Sequence, residues 1–307
     1  MFPFSPLPLL PQGLILKELS PFDRFKFSLV SRKCHLLAMR SKLAVRNMSF
    51  RFTKDHTDIL IKGPSKANRL QLHFPINMQL YGFEEIAFQA WIDDIGFRVS
   101  LSSSTRGMLP TMVADNQNQE GLIETCIRRL CDILEIRGFS MEIEGSSILP
   151  CVLQTTRTFE SVCASFSRSP YKDEASILLN DISVDDFTLS LNGTEDYQQL
   201  QPLKHRRMFL DNAAWFTKEV LMSLECEELS VYYPNITSED LQEFFEAWKE
   251  GKFPKLKKLE ILTLMDLERI LDFAPVDEED WQVIKDAGGN VGKLRMSLFL
   301  LEFAVVF

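Results

Sequence analysis

An α/β fold is predicted, in which short N-terminal helices precede a β-rich segment and a repeating strand-plus-helix domain. Three observations predict it. The first 43 residues carry apolar positions at helical spacing, broken by Ser20-Pro21. The next stretch carries short alternating apolar runs such as Arg69-Leu-Gln-Leu-His-Phe, in which Leu70, Leu72 and Phe74 share a face. From Phe139 onward strand-like segments recur, centred near Glu142, Cys163, Thr188, Phe209, Val231 and Leu259, with gaps of 21, 25, 21, 22 and 28 residues.

At the N-terminus, Pro11 fits only near a helix start, because proline lacks the N–H and its ring clashes with the preceding turn. A short first helix beginning near Pro11 is expected. Further strands are expected over 45–52, 58–61 and 95–101, with a turn at Gly63-Pro64-Ser65 and a loop over 108–118. A helix follows over 121–136, with Leu122, Ile123, Cys126, Ile127, Leu130 and Leu134 at helical spacing.

Helical segments at 148–156, 173–181, 217–224 and 238–249 fill most gaps between the recurring strands. A strand-plus-helix period of about 20–30 residues is the sign of a leucine-rich-repeat-like βα solenoid, with a compact α/β sandwich as the alternative. Each unit cannot bury its own apolar face, so neighbours stack. The clearest unit runs from Glu228 to Gly251. Thr237 or Ser238 is a natural N-cap, followed by acids in the first turn. Leu241, Phe244, Phe245 and Trp248 form one stripe, and Gly251 suits the C′ position. Four segments result: 1–43 helical, 44–137 β-rich with one helix, 138–275 repeating, and a tail over 276–307. In that tail Phe299 to Leu301 and Phe303 to Phe307 read as a buried strand or helix.

Composition is that of a soluble globular chain: 45% hydrophobic, 25% charged, with 24 Phe. No apolar run reaches the ~20 residues of a membrane span. The apolar N-terminus has no preceding basic residue and does not read as a secretory signal. The six cysteines (34, 126, 131, 151, 163 and 226) form no Cys-x-x-Cys pair and read as reduced thiols of an intracellular protein. Net charge is −9, yet residues 1–60 hold ten Lys/Arg against four Asp/Glu, an excess of +6 that leaves −15 elsewhere. A basic segment suits either nucleic acid or an acidic protein.

No catalytic constellation is visible. None of the four histidines (35, 56, 73, 205) neighbours a nucleophile, and there is no phosphate loop or metal-ligand spacing. Asp93-Asp94 and Asp185-Asp186 read as solvated loop acids, and His73 as a surface residue on the outward side of a strand. No catalytic, metal or cofactor residue is expected.

Leu7-Pro8, Ile15-Leu16, Leu19, Ser20-Pro21-Phe22 and Val30-Ser31-Arg32 together resemble the F-box. An apolar pair falls seven and eight residues after Pro8, another Leu three further on, and Val-Ser nine after Pro21. Arg32 stands where Lys is usual, Arg24 where an apolar residue is usual, and Cys34 where Trp is usual. Residues 140–262 resemble the type-two F-box-associated domain, expanded in nematodes, through Asn235, Thr237, Asp240, Leu241, Trp248, Gly251, Leu256, Leu259 and Glu260. Gly288-Gly289 falls where that family's tail carries a Gly-Gly pair, without the charged motif expected after it. The resemblance implies a substrate receptor of an SCF-type ubiquitin ligase. It would bind an acidic Skp-type adaptor, and through it a cullin, by Leu7, Pro8, Ile15, Leu16, Leu19, Pro21, Phe22, Val30 and Ser31. A target protein would meet the C-terminal domain, with no part for nucleic acid, membrane or cofactor. A repeat scaffold that has lost adaptor binding is the alternative, motivated by Pro11, Arg24 and Cys34.

Overall fold

The computed structural model describes residues 8–63, 69–76, 86–92, 95–104, 107–114, 118–145, 148, 150–166, 172–192, 197–199, 201–263, 282–296 and 300–306. The chain divides into two compact units, Met1–Arg157 and Thr158–Phe307.

Unit 1 opens with three helices, α1 (Leu9–Glu18), α2 (Pro21–Val30) and α3 (Arg32–Arg40). α1 begins at Leu9, two residues earlier than expected. Pro11 is its third residue, inside the first turn where an N–H has no intrahelical partner to lose. The strands are β1 (Leu43–Val45), β2 (Asn47–Thr53), β3 (His56–Lys62), β4 (Arg69–Pro75), β5 (Ile86–Ile92), β6 (Ile95–Ser104) and β7 (Gly107–Ala114). The loop expected at 108–118 is thus largely β7. Its mixed polarity hid a strand that pairs along its whole length with β6. Helix α4 (Gln119–Ile133) ends before Leu134, which starts β8 (Leu134–Ile136) beside β1. β9 (Phe139–Glu144) and the short α5 (Pro150–Thr155) complete the unit.

Apart from the β1–β8 pair, the strands of unit 1 lie in the order β9-β2-β3-β4-β7-β6-β5. One face of β2–β4 is apolar: Met48, Phe50 and Phe52, Ile59 and Ile61, Leu70, Leu72 and Phe74 are all buried. α4 buries Leu122, Ile123, Cys126, Ile127, Leu130 and Ile133, and packs against α2, α3 and β5–β7; α2 also meets β4. The N-terminal helices are therefore fastened to the β-rich part of unit 1.

Unit 2 contains five parallel strands in sequential order: β10 (Thr158–Phe166), β11 (Ser183–Leu191), β12 (Arg207–Asp211), β13 (Glu228–Tyr232) and β14 (Lys258–Leu262). Helices α6 (Lys172–Asn180), α7 (Lys218–Leu221) and α8 (Ser238–Lys249) fall between them. The recurring strands and the helices between them occur where the sequence period places them. Along each strand apolar residues turn inward at alternate positions, as Leu229 and Val231 do. Asp185 and Asp186 lie on β11 rather than in a loop, and Asp186 pairs with Arg207 across the strands. Asp93-Asp94 and Gly63-Pro64-Ser65 fall wholly or partly outside the described residues. The tail supplies β15 (Gln282–Lys285), β16 (Val291–Met296) and β17 (Leu300–Val306), of which β17 joins β14 antiparallel and buries Leu301 and Phe303.

α8 shows why its unit was legible. Thr237 and Asp240 form a reciprocal capping box, and Gly251 follows the helix at φ +82°. Leu241, Phe244, Phe245 and Trp248 are all buried. Trp248 meets Phe303 edge-on at 5.0 Å.

Candidate functional site

The N-terminal helices are positioned by chemistry that their own sequence supplies. Ser20 caps α2 by accepting from the Asp23 N–H at 3.1 Å, and Pro21 occupies the first turn. Asp23 lies in that turn too. Its carboxyl is held below the usual range by hydrogen bonds from Lys26 and Ser20. Ser31 ends α2 in extended backbone and caps α3, accepting from the Cys34 N–H at 3.1 Å.

Arg24 sits at the centre of this module, completely buried. Its Nη1 donates to the Ser41 carbonyl at 2.6 Å and the Ala38 carbonyl at 3.3 Å, and its Nη2 to the Leu16 carbonyl. These acceptors lie at the C-terminal ends of α3 and α1, where the Leu16 and Ala38 carbonyls otherwise accept only the capping N–H groups of Leu19 and Ser41 and the helix dipole favours a cation. Burial pushes the guanidinium down to about 10, so it stays charged at neutral pH. One of the residues that depart from the F-box pattern thus clamps two helix ends together.

The nine residues expected to bind an adaptor do not share one environment. Leu7 lies outside the described residues. Leu16 and Pro21 are buried and belong to the module's interior. Leu19 and Phe22 are half-buried, and Phe22 carries Lys26 Nζ 4.5 Å above its ring. Pro8, Ile15, Val30 and Ser31 are exposed. Val30 is 74% exposed and Ile15 40%, high values for large apolar side chains. Leu14 and Leu36 are exposed as well, and sequence reasoning missed both. Leu14 was legible as Ile15's neighbour in a helix too apolar all round for one buried stripe. Exposed Lys17, Arg32 and Lys33 flank these residues in sequence.

Two clefts open beside the helices. One, of 410 Å³, is lined by Gly13, Leu14, Leu16, Lys17, Leu37, Arg40 and Ser41. The other, of 530 Å³, is polar and includes Ser31, Arg32, His35, Arg128 and Asp132; its His35 Nε2 lies 3.3 Å from Asp132.

One further cluster lies apart from these helices. His73 is buried, not a surface residue. Its Nδ1 is 2.7 Å from Asp58 Oδ1, directly across the β3–β4 pair. Burial pushes the Asp58 carboxyl up, but the hydrogen bonds and charge of His56 and His73 overcome it and hold the group at about 2. Its signal was His-x-Asp on one face of a strand with His on the next. The cysteines are free thiols, and burial raises those of Cys131 and Cys151 to about 11 and that of Cys226 to about 12. Among the described residues no helix is long and apolar enough to cross a membrane.

The N-terminal helices thus form a capped, clamped module that exposes apolar side chains, and unit 2 carries a parallel strand-and-helix array. Residues 4–46 match the F-box domain model, and residues 196–261 match the model described as F-box associated. The chain thus carries an F-box domain and, further along, an F-box-associated domain. Domains of these two kinds are typically non-catalytic adaptors. The second match is shorter than the 140–262 expected from sequence. No curated protein and no solved structure matches the chain.

Proposed function

We propose that this chain is the substrate-recognition subunit of an SCF-type cullin-RING ubiquitin ligase, with no catalytic residue of its own. The Skp-type adaptor, and through it the cullin, is held by the N-terminal helices. The target is held by unit 2, which we read as a leucine-rich-repeat-like array. Catalysis then comes from proximity: a target lysine kept near a charged conjugating enzyme reacts at raised effective concentration. The setting is intracellular, in cytoplasm or nucleus.

The observation that carries this reading is the exposure of Val30 and Ile15 within a segment that matches the F-box domain. Exposed Lys17, Arg32 and Lys33 suit an acidic partner and favour fast encounter. The scaffold alternative draws less support. Pro11 is accommodated in the first turn of α1 and Arg24 points inward, so neither removes exposed surface.

The test is co-purification of the full chain with the adaptor. Replacing Val30 and Ile15 by Asp should lower affinity by roughly 2 kcal/mol or more, the scale of a lost apolar anchor, and leave the thermal midpoint unchanged. Binding that survives both changes would remove the F-box helices from the interface.

A further inference from the structure

β3 and β4 carry a cluster outside both matched segments, on the face opposite the aromatic core. His56 and Asp58 are two residues apart on β3 and so point to the same side. His73 on β4 is the cross-strand partner of Asp58. His73 Nδ1 lies 2.7 Å from Asp58 Oδ1, and His56 Nε2 lies 3.5 Å from Asp58 Oδ2. Three ligand atoms, one from each residue, all lie within 4.8 Å of one another. Around a tetrahedral ion with bonds near 2.0–2.1 Å, donor atoms sit roughly 3.3 Å apart. Ion binding would draw the three donors in to that spacing.

The surroundings hold the donors in place. Thr53 Oγ1 is 3.1 Å from His56 Nδ1, which leaves Nε2 as the nitrogen turned toward Asp58. Gln71 Nε2 donates to Asp58 Oδ2 at 3.1 Å. Outer contacts of this kind orient metal-binding imidazoles and carboxylates. Arg51 faces Asp58 from β2, but Glu142 at 3.4 Å and Glu144 at 3.1 Å offset its charge. His56 is the most exposed of the three and leaves a path for entry.

We propose that His56, Asp58 and His73 bind one divalent ion of the zinc class, with the fourth position left to water. Two imidazoles and one carboxylate suit zinc and its first-row neighbours; calcium and magnesium prefer oxygen donors throughout. The ion would tie β3 to β4 by side chains as well as by the backbone ladder. This inference is independent of the ligase reading.

The test uses the full chain after chelation, titrated with zinc alone by calorimetry and with cobalt by absorption. The expected result is one ion per chain, with visible cobalt bands and no sulfur charge-transfer band. His56→Gln and Asp58→Asn should each weaken binding by at least about 10–100-fold, the loss seen when even an outer partner is removed. His56→Gln alters the most exposed ligand, and circular dichroism verifies that each variant folds. Replacing the exposed Cys163 by Ser should change nothing. Absence of binding at millimolar zinc, binding unaltered in both folded variants, or a sulfur band would overturn the proposal. Equal affinity for magnesium would overturn the zinc-class assignment.

Discussion

Arg24 supplies the donors that two helix ends require. Removing it leaves the Leu16 and Ala38 carbonyls with only the Leu19 and Ser41 backbone N–H groups and takes the guanidinium from the Ser41 carbonyl; a buried acceptor left unpaired costs about 1–3 kcal/mol. Lysine does not replace it, because a single ammonium lacks the planar fork that reaches both ends. Arg24→Met should therefore strip hydrogen-exchange protection from α1 and α3 while leaving unit 2 as it was; unchanged protection in α1 would refute the clamp. His205 makes a different point. It is buried, lies tilted against Phe187 with ring centroids 4.5 Å apart, and donates from Nε2 to the Leu178 carbonyl at 2.8 Å. Burial lowers its pKa from the ordinary 6.5. The unfolded chain then holds more protons than the folded one just below pH 6.5, so stability falls as pH drops through that value. His205→Gln should flatten this part of the stability–pH curve, as followed by thermal midpoints between pH 7.5 and 5. An unaltered slope would mean that His205 titrates normally.

At the scale of an element, α8 and the strands it covers form the best-defined piece of unit 2. Trp248 and Phe245 both meet Phe303 of β17 edge-on, and Gly292 of β16 lies beneath them. A Cβ at Gly292 would come 2.5 Å from the Phe303 ring and 3.0 Å from Trp248. Gly292→Ala should then cost about 1–3 kcal/mol by overpacking, and Trp248→Ala about 3–5 kcal/mol by opening a cavity. Denaturation followed by Trp fluorescence checks the first and circular dichroism the second. A stable Trp248→Ala would show that the stripe is not a packing seam. The same helix explains what sequence can show. Its caps, stripe and terminal glycine are local signals, and each was readable. β7 was missed because its order comes from pairing with β6 and β4, which no local pattern records.

Over the whole molecule, the same division holds. The strand period and the interleaved helices of unit 2 were legible because strand after strand buries alternate residues, with a helix described in three of the four gaps. The antiparallel turn of the tail was not, since β17 is set by the free edge of β14 and not by anything within 300–306. The N-terminal motif was legible as a register of residues, but its division into interior and surface was not. Leu16 and Val30 look alike in sequence, and only packing assigns the first to the interior and the second to solvent. His73 was misplaced for a related reason. Alternation put it on the outward side correctly, yet that side is itself covered at this point.

A row of parallel strands has no inherent reason to stop, and in unit 2 something stops it. β17 lies against β14 in the opposite sense, and the row ends with the four-residue β15. Short, irregular borders of this kind keep a sheet from recruiting further strands. Growth of the domain over evolutionary time is thereby confined to its middle. Arg207 pairs with Glu228, so one step from strand to strand spans 21 residues. A tandem duplication of residues 207–227 should therefore yield a longer chain that still unfolds cooperatively. The same segment appended after Phe307 meets an edge of β14 already taken by β17 and should remain accessible to protease. Diversification of such a domain would then proceed by lengthening from within.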